Sequence, residues 1–381
     1  MNNVILFSDL AKQCAPYENI SDARPKDKWY SCSYETKEVN KTMRLNTHQI
    51  GITITGAAAI KDINGKICVS RFTQEQRQLY KNRDCDSYLR SLSSAGIKMS
   101  FSTNSKNLFI RTDVAPGSSR KFFSFDIYMN EKCIGHLDNF DEIHMPQKYS
   151  ETNHTLEPIE KSFDLGTGVK DITIYFPWSV NCMIEEISLD DGAFIHPQKR
   201  RKTLLAFGDS ITQGYDAMRP SATYVSKLAR ALNADEFNKG IGGETFFPDL
   251  ALTKESFIPD YITVAYGTND WVKSDKHTFE NECRDFFVNL RNTYKQSEIY
   301  AITPIWRTDV NETKTLGTFR EIEETISKCA EPLNICVVHG LPLVPHDSND
   351  FYADFYVHPN DTGFDHFYKN LYNEILLRKG D

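Results

Sequence analysis

The chain of 381 residues has no apolar run near the roughly 18 residues that a membrane-spanning helix requires. It also has no block of five or more basic residues. The densest cluster is Lys199-Arg200-Arg201-Lys202, and the formal charge is -8. A nucleic-acid binder carries a large basic face, so nucleic acid and membrane are both excluded as expected partners. The nine cysteines (14, 32, 68, 85, 133, 182, 283, 329, 336) are scattered and form no CxxC pair, which argues against a zinc ribbon or redox motif and for reduced, buried thiols. No HExxH is present either, so no metal is expected. The N-terminus MNNVILFSDLAKQC lacks a basic leader, and its apolar stretch stops at Asp9. A cytoplasmic protein is the expectation.

What is present has two textures. Residues 49–190 carry short alternating runs: Gly51–Thr55, Ile97–Ser102, Leu108–Thr112, Phe122–Tyr128 and Asp171–Phe176. Turn clusters such as Ser102-Thr103-Asn104-Ser105 and Ala115-Pro116-Gly117-Ser118 break them. Period-two runs with frequent turns predict an all-β, jelly-roll-like sandwich, with Gln74–Lys81 as a short inserted helix. The first 48 residues give no clear pattern.

From Thr203 the pattern changes. Thr203–Phe207, Glu236–Asn238, Tyr261–Ala265, Tyr300–Thr303 and Ile335–Val338 read as strands. Ser221–Leu232, His277–Tyr294, Thr315–Ala330 and Thr362–Leu377 read as helices. Alternation of this kind predicts an α/β fold with a parallel sheet covered on both faces. The expected organisation is a sandwich domain over residues 1–200 and an α/β domain over 201–381, joined near Pro197–Lys202.

Four polar segments fall just past these strands or before the last helix, where ligands of open α/β sheets bind. They are Gly208-Asp209-Ser210-Ile211, Asn238-Lys239-Gly240-Ile241-Gly242-Gly243, Gly267-Thr268-Asn269-Asp270, and Asp354-Phe355-Tyr356-Val357-His358-Pro359. Taken singly, each is ordinary cap or turn chemistry: Ser caps helices, and Gly and Asn-Asp make turns. The first is not the GxSxG elbow, because Thr212 stands where its second Gly belongs.

Taken together and in order, the four resemble blocks I, II, III and V of the SGNH, or GDSL-type, hydrolases over residues 203–378. A β-sandwich ahead of such a domain is similar to the two-domain carbohydrate esterases. The resemblance implies a flavodoxin-like parallel sheet and a serine carboxylic-ester hydrolase without cofactor. Ser210 would be the nucleophile, His358 the general base and Asp354 the triad acid. The N–H of Ser210, the N–H of Gly243 and the side chain of Asn269 would form the oxyanion hole. One departure stands out: Asp354 precedes His358 by four positions, where the family's spacing is three. A one-residue bulge would absorb the difference. Otherwise His358 leans on a backbone carbonyl or works in a dyad, with Asp350 the nearest substitute acid.

Tyr215, Asp216, Trp271 and Trp306 are expected near the crevice, where aromatic faces and a carboxylate suit sugar rings and hydroxyls. Plain core packing is the competing reading for Trp306, and Trp178 is expected in the core or between the domains. The expected partner is an acetylated oligosaccharide or another small ester. Lipid or acyl-thioester hydrolysis is the alternative within enzymes. A carbohydrate-binding protein with an inactive esterase domain is the alternative outside them.

Overall fold

The computed structural model describes residues 42–379. The first 41 residues lie outside the described part, with Cys14, Cys32 and the segment on which the cytoplasmic expectation rests.

Residues 42–197 form two antiparallel sheets. One runs in the order 59–63, 66–70, 180–190, 107–116 and 159–164, with Thr42–Arg44 paired to the far end of the long strand Val180–Asp190. The other runs 196–197, 98–103, 170–175, 124–129 and 132–138, with Ile54–Thr55 added on 98–103. Alternate residues of Asn107–Pro116 are buried, as one covered face requires. Leu108, Ile110, Ile184 and Ile187 of the first sheet share one core with Met99, Phe101, Ile172 and Ile174 of the second.

One expected strand is a helix. Gly51–Thr55 reads as β-branched alternation, but Asn46 and Gln49 close a capping box and residues Thr47–Thr53 are helical, with Ile50 pointing into the core. Only Ile54–Thr55 continues as strand. The local cap outweighs β propensity here.

The second half is a five-stranded parallel sheet in the spatial order 234–240, 202–208, 261–265, 298–302, 336–338. In chain order that is 2-1-3-4-5, the flavodoxin-like arrangement. The flanking helices are Tyr224–Ala231, Lys276–Thr293, Phe319–Ala330 and Asp361–Lys379. The third of these starts four residues later than its apolar spacing suggests. Thr313–Lys314 and Gly317–Thr318 pair as a small hairpin, and Thr318 with Glu321 caps the helix. The strand order reverses at the first strand, 202–208, which lies between the second and the third. The crevice at their carboxyl ends therefore opens beside Gly208, Gly240 and Ala265, which stand in register.

The two halves pack as one compact unit. The segment between the antiparallel strands 66–70 and 98–103 forms helices Gln74–Arg83 and Cys85–Ser91. Phe72 and Tyr80 of this segment are fully buried in the core under the parallel sheet, with Phe207, Trp271 and Phe286. Trp178 and Phe122, also from the first half, join the core on the sheet's other face, and the Trp178 indole N–H donates to Ala217 O at 2.8 Å.

Arg71 ties this insertion to the second parallel strand. It is fully buried and faces backbone carbonyls: Ser93 O at 3.0 Å, Arg90 O at 2.9 Å, Asn238 O at 3.1 Å and Gly240 O at 2.7 Å. Burial lowers its pKa to about 9. Removing it would orphan several buried acceptors at once, each costing about 1–3 kcal/mol. Arg71→Met is therefore expected to lower unfolding stability by about 3 kcal/mol or more. Urea denaturation checks this, and a loss below about 1 kcal/mol would contradict the role given to Arg71.

Candidate active site

Ser210 opens a single helical turn, Ser210–Gln213, directly after the first parallel strand. Asp209 caps that turn, accepting from Ile211 N at 2.9 Å. Its burial pushes its pKa up to about 6. Gly208 is required by close approach: a Cβ there would lie 2.1 Å from Thr212 Oγ1 and 2.8 Å from Ala265 O. Ser210 is 8 % exposed, and as the first helical residue it has an N–H with no acceptor inside the helix.

His358 arrives from the segment before the last helix. Its Nε2 lies 2.8 Å from Ser210 Oγ, and its Nδ1 lies 2.7 Å from Asp354 Oδ2. The departure in spacing is absorbed as a bulge. Phe355 takes a left-handed conformation, φ 54°, uncommon for an aromatic residue. The turn closes on the carboxylate: Asp354 Oδ1 accepts from the N–H groups of Tyr356, Val357 and His358 at 2.9, 2.9 and 3.0 Å. Burial opposes ionisation of Asp354, but the His358 contact and these N–H groups win, holding its carboxyl well below the usual range. Asp350, the substitute acid, is tied to Ser348.

A second carboxylate stands behind the imidazole. Asp216 Oδ2 is 3.5 Å from His358 Nδ1, and Asp216 is fully buried. Arg120, from the antiparallel half, grips it with two bonds of 2.6 and 2.9 Å and lies over the Tyr215 ring. Tyr215 stacks on His358 with centroids 5.6 Å apart and packs against Trp178 on its other side. Donor atoms of Asp216, Asp354 and His358 fall within 4.8 Å of one another, but Nδ1 is committed to Asp354 and Asp216 to Arg120. Burial disfavours the imidazolium, yet the Asp354 hydrogen bond and the charges of Asp216 and Asp354 outweigh it. The His358 pKa is raised above 6.5, with Arg120 pulling the other way.

The other two blocks meet the same crevice. Gly243 has φ 78°, where a side chain would be strained. The Asn269 amide donates to Glu244 O at 3.0 Å, leaving its second N–H for a ligand. Asp270, wholly buried, accepts from Phe246 N and Gly267 N at 3.1 and 3.0 Å, locking the two loops together. Burial lifts its pKa to about 7. Arg307 donates to Thr268 O and to the Tyr356 hydroxyl, bracing the third block against the fourth.

The expected ligand contacts fare differently. Trp271 is fully buried, packed on Phe319, and its indole N–H donates to Gly317 O at 2.8 Å, so it offers no face to a sugar. Tyr215 and Asp216 are buried behind His358 and serve it instead of a ligand. Trp306 is half-buried, stacked on His346 and against Tyr352. Sequence reasoning missed Arg120, because an Arg after a Ser-Ser turn looks like any surface residue. It also missed Arg71, and no local signal marks either. A separate groove of about 690 Å³ lined by Tyr128, Tyr175 and Tyr368 lies near the amino ends of the first two parallel strands. Two of its cations, Lys98 and Lys227, are paired with Asp235 and Asp365.

A parallel sheet with a Ser, His and Asp aligned at its switch point has the parts of a serine hydrolase. Residues 206–366 match the GDSL-like Lipase/Acylhydrolase family. None of the curated proteins matches the chain. Among solved structures, the chain is similar to a salicylyl-acyltransferase, SsfX3, from a tetracycline biosynthetic pathway (20% identity, TM-score 0.72, 86% of this chain and 94% of that one). It is also similar to a family two carbohydrate esterase from Clostridium thermocellum in complex with cellohexaose (13%, 0.57, 76% and 94%). An acetyl xylan esterase from the rumen bacterium Butyrivibrio proteoclasticus shares 16% identity at TM-score 0.57, over 89% of this chain and 99% of that one. At these identities the likeness is one of fold.

The geometry predicts that His358 titrates above 6.5 in an NMR titration of the imidazole signals. Arg120→Gln should raise the midpoint further, since Asp216 would then face the ring without its cation. Asp216→Asn on top of Arg120→Gln should bring the midpoint back down. An unchanged midpoint in Arg120→Gln would show that the pair does not act on the ring.

Proposed function

We propose that the chain is a serine carboxylic-ester hydrolase working through an acyl-enzyme, and that its substrates are O-acetylated oligosaccharides. The observation that carries the first part is the unbroken series Ser210 Oγ, His358 Nε2, His358 Nδ1, Asp354 Oδ2, with links of 2.8 and 2.7 Å. A serine hydroxyl at its free pKa is a poor nucleophile and needs an adjacent base. His358 takes the Ser210 proton as the hydroxyl attacks the carbonyl, then returns it to the departing alcohol. Asp354 fixes the tautomer with the proton on Nδ1 and stabilises the imidazolium. The N–H groups of Ser210 and Gly243 and the amide of Asn269 meet the oxyanion. Water, activated by the same imidazole, releases the acid.

The acetyl-sugar reading is supported by the carbohydrate esterases among the structural neighbours and by the antiparallel half that accompanies the site. The acyltransferase among the same neighbours favours a second reading, transfer of the acyl group to an alcohol in place of water. Both run through one acyl-enzyme and differ only in the acceptor. The aligned triad counts against an inactive binding protein.

Ser210→Ala is expected to abolish hydrolysis of p-nitrophenyl acetate while the circular dichroism spectrum stays that of the wild type. Turnover near the wild-type rate in that variant would refute the reading. Asn269→Ala should lower kcat by about 10²–10³, and Asp354→Asn should cost far more than Asp350→Asn. Mass spectrometry of acetylated oligosaccharides tests the substrate: loss of acetyl groups is expected. A preference for p-nitrophenyl esters of eight or more carbons would move the assignment to lipids, and a new ester formed from an added alcohol would favour transfer.

A further inference from the structure

The geometry points to an anionic ester as the substrate, with a carboxylate or phosphate group near the scissile bond held by Arg90 and Lys273. This rests on the esterase reading and names the substrate class for the same site. A Cβ placed on Gly243 would meet only two heavy atoms within 4 Å outside its own neighbours: Arg90 Nη1 and Lys273 Nζ, each at 3.3 Å. The glycine assigned to the oxyanion hole is thus bordered on its Cβ side by two cationic nitrogens and by no other group among the described residues. Each is fixed in place by one backbone carbonyl. Arg90 Nη1 donates to Gly242 O at 2.7 Å and Lys273 Nζ to Gly243 O at 2.5 Å.

Neither cation is used up by that bond. A guanidinium has five N–H donors and an ammonium three. Among the described residues no carboxylate lies within 4.0 Å of Lys273, and the one near Arg90 is Asp86, half-exposed, at 3.8 Å. Arg83, on the same insertion, is by contrast paired to the buried Glu244. Two incompletely neutralised positive charges at one opening are notable in a chain of net charge -8. Holding the loop does not by itself call for them, since the neutral amide of Asn269 holds Glu244 O in the same loop. A carboxylate or phosphate can accept from both nitrogens at once through charge-assisted bonds, which a neutral hydroxyl cannot match.

The test compares kcat/KM on three acetyl esters: an O-acetylated methyl glucoside, the matching glucuronoside, and the matching glucoside 6-phosphate. At low salt at least one anionic ester should be favoured over the neutral one by about tenfold. The arm with the larger ratio identifies carboxylate or phosphate. The ratio should shrink in added salt and fall to near one in Arg90→Gln/Lys273→Gln. Because the ratio is taken within one variant, slower catalysis from a loosened loop does not disturb it. Lys273→Gln alone, at an exposed position, should give part of the loss if the double variant does not fold. Equal rates on neutral and anionic esters in the wild type, or a preference that survives both substitutions, would overturn the inference. If p-nitrophenyl acetate is hydrolysed and charge makes no difference, only this inference falls. If p-nitrophenyl acetate is inert and Ser210 also resists a serine-reactive phosphonate, the esterase reading itself falls.

Discussion

The carboxylate of Asp354 organises the site by closing a turn on itself. One oxygen gathers three successive backbone N–H groups and the other accepts a hydrogen bond from His358 Nδ1. A short stretch of chain thereby becomes a rigid mount for an imidazole. Its cost is a left-handed Phe355, a conformation that persists only where surrounding contacts over-determine it. The contacts here include Ala353 N to His358 O at 2.8 Å and the bridge between Tyr352 and Pro359. Once the ring is aimed, its other nitrogen reaches Ser210, whose own position is set by the strand end and the Asp209 cap.

Around that axis the antiparallel half reaches the Ser210–His358 site with its own side chains. Arg120 neutralises Asp216 behind the imidazole, and Trp178 backs the tyrosine stacked on it. Arg71 and Arg90, from the insertion after the fourth antiparallel strand segment 66–70, hold carbonyls at Asn238, Gly240 and Gly242. The loop assigned to the oxyanion hole is therefore braced from the antiparallel half. Rigid placement of such donors is what lets them stabilise charge without reorganising as it forms.

The four blocks were legible because each is local. A Ser after an apolar strand, a double Gly, an Asn-Asp turn and an Asp before His-Pro are written in consecutive residues, and order along the chain fixes which strand end each occupies. The parallel strands were legible for the same reason, as short apolar runs between helical periods. Errors arose where a neighbour in space decides. Trp271 follows the third block directly, yet it turns into the core, because Phe319 and Gly317 O close over it. Gly51–Thr55 has strand composition, yet Asn46 and Gln49 nucleate a helix across most of it.

The sequence by itself determined the fold class of the second half and the four blocks that supply Ser210, Gly243, Asn269 and His358 past its strand ends. Those follow from periodicity and from residue types that local chemistry restricts. Only the tertiary structure decided whether Asp354 reaches His358 across an extra residue, and which distant arginines stand behind the ring and the loop. The arginines make contacts across 96 to 169 residues of chain, and the short Asp354 turn is held only once its surroundings are packed. Such contacts are set by how two cores pack against each other, which no local pattern records.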